Sequence, residues 1–126
     1  GIAMGLFLLL SADLRIGTGA PARYSANEVA IGLTVPAAAL AILRYRLTPS
    51  AADRAAVTAA VFDPQQAVAA GILHEVVEPD ELLSAARGWA ASAASDLHAG
   101  PHAETKMRAR AGMLSELRAG LGELAG

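Results

Sequence analysis

The sequence has no cysteine and only one lysine, Lys106, against nine arginines. Without thiols there is no disulfide frame and no thiolate metal site. Aromatic residues make up 4% of the chain, so its core has to be built from small and aliphatic side chains, which favours helices over sheets. Neither charge sign dominates. Ten Lys and Arg are scattered among twelve Asp and Glu, and the net charge of −2 leaves no basic footprint for nucleic acid. A membrane span is missing too, because the longest apolar run is broken by Asp13 and Arg15 before the roughly 20 residues a span needs. No positive residue precedes that run, so it does not read as a signal peptide. These absences leave a soluble, cytoplasmic protein as the default, and 126 residues suffice for one domain with a real core.

What is present is apolar: 54% of the chain, much of it alanine. The first seventeen residues, Gly1-Ile-Ala-Met-Gly-Leu-Phe-Leu-Leu-Leu-Ser-Ala-Asp-Leu-Arg-Ile-Gly17, organise the rest. They read as a tight turn at Met4-Gly5, a buried helix through about Ala12, and a strand at Leu14-Arg15-Ile16. A helix that is hydrophobic on all sides belongs inside a larger body. Its first-turn N–H groups lack intrahelical partners and suit an oxygen that gains negative charge. A buried-type segment at residue 1, with no initiator Met, reads as a fragment or a processed chain.

Residues 17 to 21, Gly-Thr-Gly-Ala-Pro, read as a turn. Ala22 to Ala26 is extended and leads to Glu28, a lone carboxylate among small and apolar neighbours. Pro36 suits the first turn of a helix over about Ala37 to Arg46 that buries Leu40, Ile42 and Leu43 and ends on cationic Arg44 and Arg46. Ser50 is the expected N-cap of a helix from about Ala51 to Val61. Asp63 is the expected N-cap of a short helix closed by a left-handed Gly71. Ile72 to Val77 has strand composition, and the spacing of Leu82, Leu83, Ala86, Trp89, Ala90 and Ala93 predicts a helix through about Asp96. His98-Ala-Gly-Pro-His102 reads as a break before an amphipathic helix over about Ala103 to Leu124, with a fraying tail. The few strands are not expected to make a sheet without partners from elsewhere.

Three segments, in register and at matching separations, resemble the C-terminal half of the crotonase superfamily, the enoyl-CoA hydratases and isomerases. Ala3-Met-Gly-Leu-Phe-Leu-Leu-Leu-Ser-Ala-Asp-Leu-Arg-Ile is similar to that family's glycine turn, buried helix and Cys-Asp-x-Arg strand. Arg23 to Pro36 is similar to its Phe-x-x-Pro-Glu segment, and Phe62 to Leu82 to its Gly-Leu-Val stretch. The resemblance implies an α/β fold, a ββα spiral, helix-rich here with a few short strands completed by a missing N-terminal half. Residues 1–77 would belong to the spiral core and 78–126 to a helical oligomerisation region, in a homotrimer or a dimer of trimers. It also implies an acyl-CoA thioester as substrate and no separate cofactor, coenzyme A being part of that substrate.

By the same resemblance Glu28 is the general acid/base, partly desolvated by Ala26, Val29 and Ile31. The backbone N–H groups of Met4 and Gly5 form the oxyanion hole, Gly5 also giving the turn its freedom. Phe7 and Asn27 line the substrate pocket. Phe7 stands where hydratases of the family commonly carry a second glutamate, so moving a double bond fits better than adding water. Met4 and Ala37-Ala-Ala replace glycines of the family pattern. The second oxyanion donor would come from an N-terminal half, in cis or as a separate chain, without which the polypeptide is expected to be inactive. A non-catalytic, crotonase-like assembly module is the second reading. For His74, His98 and His102 the expectation is exposed loop positions and no metal site, with Gly100 and Pro101 keeping His98 and His102 off one helical face. Neither nucleic acid nor membrane is an expected partner.

Overall fold

The computed structural model describes residues 1–19 and 21–125. In chain order these form α1 (Met4–Leu10), β1 (Ile16–Thr18), β2 (Tyr24–Ser25), α2 (Ala37–Arg46) and α3 (Pro49–Thr58). There follow β3 (Val61–Phe62), α4 (Pro64–Ala70), β4 (Glu75–Val77), α5 (Leu82–Asp96), α6 (Ala99–Ala109) and α7 (Ala111–Ala125). Single 3-10 turns, Val29–Ile31 and Pro79–Glu81, precede α2 and α5. Among the described residues no helix is long and apolar enough to cross a membrane.

The greasy first helix is short and one-sided. Leu6, Phe7 and Leu10 enter the core, while Met4 and Leu8, one turn apart on the other side, are exposed. It stops before the expected Ala12 because Ser11 turns back on it: both its N–H and its Oγ donate to the carbonyl of Phe7, at 3.1 and 2.8 Å. The first strand lies two residues later than its composition suggested. Arg15 is drawn inward instead, and Gly17 and Thr18, expected in a turn, extend the strand; Ala20 of that turn lies outside the described residues. Gly17 is there for closeness, since a Cβ would fall 2.6 Å from both Leu73 Cδ1 and the Tyr24 hydroxyl.

The strands do find partners within the chain, against expectation. β1 runs parallel to β4 in the register Ile16–Glu75, Gly17–Val76, Thr18–Val77, and β2 runs antiparallel to β3 through Tyr24–Phe62 and Ser25–Val61. Each ladder has two strands, and the core beneath them is helical. Leu6, Leu10, Leu43, Phe62 and Ile72 are fully buried, and the alanines of α3, Ala51, Ala52, Ala55 and Ala56, let that helix approach closely.

Helix ends follow local chemistry, with two shifts. Thr48, not Ser50, caps α3: its Oγ1 accepts from Ala51 N at 3.3 Å, and Pro49 takes the first helical position, where no N–H is needed. Pro36 is likewise the N-cap of α2, one place before the expected position. Asp63 forms a full capping box with Gln66, with bonds of 2.8 and 3.0 Å, and Gly71 closes α4 at φ 91°. The region after α5 departs further. Gly100 and Pro101 sit in the first turn of α6 rather than breaking the helix, because proline there forfeits only an N–H that has no intrahelical acceptor. His98 is thus an N-cap, and its carbonyl accepts from His102 N at 2.9 Å. Arg110 divides what read as one final helix into α6 and α7. The latter remains helical through Ala125 instead of fraying, and it packs back on α2 with Gly120 against the Ala38 main chain.

Two arginines tie these pieces together. Arg15, 5% exposed, donates from Nε to Ile72 O (2.7 Å), from Nη1 to Ala12 O (2.9 Å) and from Nη2 to Gly71 O (3.2 Å). Arg46 donates to Leu10 O (2.8 Å) and Ala12 O (3.1 Å). Helix C-terminal carbonyls carry partial negative charge and need donors, and these guanidiniums supply them. Burial lowers the pKa of Arg15 to about 10, which still leaves it charged at neutrality.

Candidate active site

Glu28 lies where β2 has just ended. Ser25 is bridged to Ile2, its N–H donating to Gly1 O (3.0 Å) and its carbonyl accepting from Ala3 N (2.9 Å). The segment carrying Glu28 is therefore held three residues from the turn that starts α1. Its own backbone is pinned by the 3-10 turn, with Ile31 N and Leu33 N donating to Glu28 O at 3.1 and 2.8 Å, and Gly32 at φ 83° turning the chain away. Glu28 is half-buried, and its Oε2 is shut off from solvent with no hydrogen-bond partner among the described residues. The Oδ1 of Asn27 is in the same condition. Buried acceptors without donors are costly, so two in successive residues mark a place where a donor from outside the described residues is expected.

At the start of α1 the two expected donors differ. Met4 N–H has no acceptor among the described residues, whereas Gly5 N–H is spent on Ile2 O at 3.1 Å. The strained dihedral also belongs to another residue than expected. Gly5 is helical, and it is Ala3 that takes φ 50°, ψ −123°, a conformation open mainly to glycine. Sequence reasoning missed Ala3, which carries no chemical group to announce it; its only signal was its place before two residues of a glycine-type turn. Phe7, expected on the pocket wall, is 9% exposed and packs in the core cluster with Leu6, Leu10 and Tyr24. No second carboxylate stands at that position.

The profile of the family described as enoyl-CoA hydratase/isomerase matches residues 1–117. The chain belongs to that family. The probable enoyl-CoA hydratase EchA17 of Mycobacterium avium is 36% identical over 89 residues, covering 71% of this chain and 34% of that protein. Among solved structures, the probable enoyl-CoA hydratase EchA3 of Mycobacterium tuberculosis H37Rv is 44% identical, with a TM-score of 0.94 over 98% of this chain and 52% of its own. An enoyl-CoA hydratase/isomerase family protein from Pseudomonas syringae is 42% identical, with a TM-score of 0.93 over 97% and 53%. The helix-rich, crotonase-like fold expected from the sequence is the one observed. The chain spans a third of its curated relatives and about half of these solved chains.

Other polar groups of this enoyl-CoA hydratase/isomerase family member pair among themselves away from Glu28. Asp13, at the end of α1, is paired with Lys106 and, at 2.7 Å, with Arg110; His102 Nε2 lies 3.8 Å away. The hydrogen bond from Lys106 is the main reason its pKa is lowered to about 2. His74 Nδ1 accepts from Arg15 N at 3.0 Å, and burial, with Arg15 and Arg46 nearby, keeps its pKa below the ordinary histidine value. His74, His98 and His102 are exposed, though on helix-terminal as well as loop positions. Among the described residues no three His, Asp or Glu side chains gather as a metal-ligand group.

Ala3 supplies a first test. Ala3→Gly removes the Cβ penalty and is expected to raise stability by about 1 kcal/mol, read as a higher denaturant midpoint. A fall in stability would show that the turn is not strained.

Proposed function

We propose that this chain supplies the proton-moving part of an enoyl-CoA isomerase-type site, acting on acyl-CoA thioesters. Met4 N–H holds the thioester carbonyl oxygen, and Glu28 takes a proton from the α-carbon. The electron pair of that C–H bond moves toward the carbonyl, giving an enolate whose oxygen rests on the fixed donor. Glu28 then returns the proton at the γ-carbon, and the double bond has moved from the 3- to the 2-position. A donor already aimed at developing charge needs no reorganisation in the transition state. The buried Oε2 of Glu28, without a partner among the described residues, carries this reading, because a carboxylate oxygen with no competing donor is available to a substrate proton. Asn27 belongs to the pocket wall in the same reading.

The preference for isomerisation over hydration rests on Phe7: with hydrocarbon where a second carboxylate would help activate water, one carboxylate shuttling one proton is the simpler chemistry. Since Gly5 N–H is spent within the turn, the second oxyanion donor comes from the rest of the complete protein, together with most of the coenzyme A pocket. The complete protein assembles as a homotrimer or dimer of trimers, a reading supported by exposed Met107, Leu121 and Leu124 on α6 and α7.

The test is a product assay on the full-length polypeptide. Given a 3-enoyl-CoA it is expected to form the 2-enoyl isomer faster than it converts a 2-enoyl-CoA to the 3-hydroxyacyl product. Faster water addition would discard the isomerase preference, and inactivity on both would favour a non-catalytic module.

A further inference from the structure

At the other end of α1, about 10 Å along the helix from Met4, a cleft of about 190 Å3 opens between α1, the end of α2 and the start of α7. Leu10, Ile42, Met113 and Leu117 give it hydrocarbon walls, and Arg46 and Arg110 also line it. Both cations are held firmly. The Arg46 guanidinium lies 5.0 Å over the Tyr45 ring and is anchored to Leu10 O and Ala12 O, and Arg110 is anchored to Asp13 Oδ1. A guanidinium has five N–H donors, so most of those on this pair have no acceptor among the described residues.

Positive charge is in excess around the cleft. Asp13 is shared by Lys106 and Arg110, while Arg15 and Arg46 have only carbonyl oxygens as partners among the described residues. Burial first, and then the charge of Arg110, hold the pKa of Arg46 below the ordinary arginine value. Hydrogen bonding to Asp13 and Tyr45 outweighs burial and raises that of Arg110 instead. Of the pair it is therefore Arg46 that has no carboxylate partner among the described residues, and an anion in the cleft supplies one.

We propose that this cleft is a second binding site, for a short-chain monocarboxylate, whose head group pairs with Arg46 and Arg110 and whose tail lies on Leu10, Ile42, Met113 and Leu117. A cavity of about 150 Å3 holds benzene, with its six heavy atoms, so this volume suits a ligand of about that size such as butyrate. Charge-assisted bonds to guanidinium select a carboxylate over an alcohol, and the apolar walls select a hydrocarbon tail over a bare inorganic anion. The site lies at the far end of α1 from Glu28, and its occupancy is measured without any turnover.

The experiment is ligand-observed saturation-transfer NMR on the full-length polypeptide with butyrate, 1-butanol and inorganic phosphate as separate probes. Butyrate is expected to bind and the other two to bind about tenfold or more weakly. Leu117→Phe, which fills the cleft and leaves both arginines in place, is expected to abolish the butyrate signal, and Arg110→Gln to weaken it. Absence of butyrate binding, equal binding of butanol or phosphate, or a signal that survives Leu117→Phe would each overturn the proposal. Should one variant fail to fold, the other together with the three-probe comparison still decides.

Discussion

Replacing Glu28 by glutamine is expected to lower kcat on a 3-enoyl-CoA by about 10²–10⁴-fold, the usual worth of a positioned acid/base group. Glutamine keeps the size of the side chain and its place after the Ser25–Ile2 bridge, so KM and folding should change little. What it removes is the ability to take a proton from one carbon and give it to another. A fall confined to kcat is therefore the signature of lost chemistry rather than lost binding. Exchange of the substrate's α-hydrogen with deuterated solvent reads the same step directly and should fall in parallel. If the Glu28→Gln variant turns over as fast as the parent, the carboxylate is not the proton carrier, and the orphaned Oε2 needs another explanation.

The largest loss of stability is expected from Arg15→Met, about 1–3 kcal/mol in denaturant unfolding. Methionine fills much of the same space, so packing is not the main term. The loss comes from Ile72 O and Gly71 O, which would lose the arginine as a donor, while Ala12 O retains Arg46. Arg15→Lys should recover only part of it, since one ammonium cannot span carbonyls that the planar guanidinium reaches at once. Loss of under about 1 kcal/mol for the methionine variant would mean that water satisfies those carbonyls, and that Arg15 does not tie α1 to the end of α4.

How far the sequence disclosed this architecture depended on whether the deciding interaction was local. Asp63, Pro64 and Gly71 announced α4 because a capping box and a left-handed cap are settled within a few residues. The bounds of α2 were legible for the same reason. Ser50 was the wrong cap because two hydroxyls flank one proline; Pro49 at the first helical position assigns the role to Thr48. The strand at β1 was misplaced by two residues because Arg15, which looked like the polar side of an alternating strand, is claimed by carbonyls 56 and 57 residues away. The division at Arg110 has the same origin, its partner Asp13 lying 97 residues earlier. For the candidate site, the position of Glu28 was legible through a motif. The Met4 N–H without an acceptor among the described residues, the spent Gly5 N–H and the strained Ala3 were not, since each depends on main-chain geometry that side-chain identity does not encode.

Gly120 lies so close to α2 that a Cβ there would come within 2.5 Å of Ala38 N and 2.8 Å of Ala38 Cα. Near that residue the two helices touch main chain to main chain, leaving no rotamers that could yield. Ile42 and Met113, where the arginine-lined cleft opens, sit further along the same pair of helices. Any side chain at position 120 would therefore have to push α7 off α2, and because the cleft lies between the same two helices, its shape depends on that one missing Cβ.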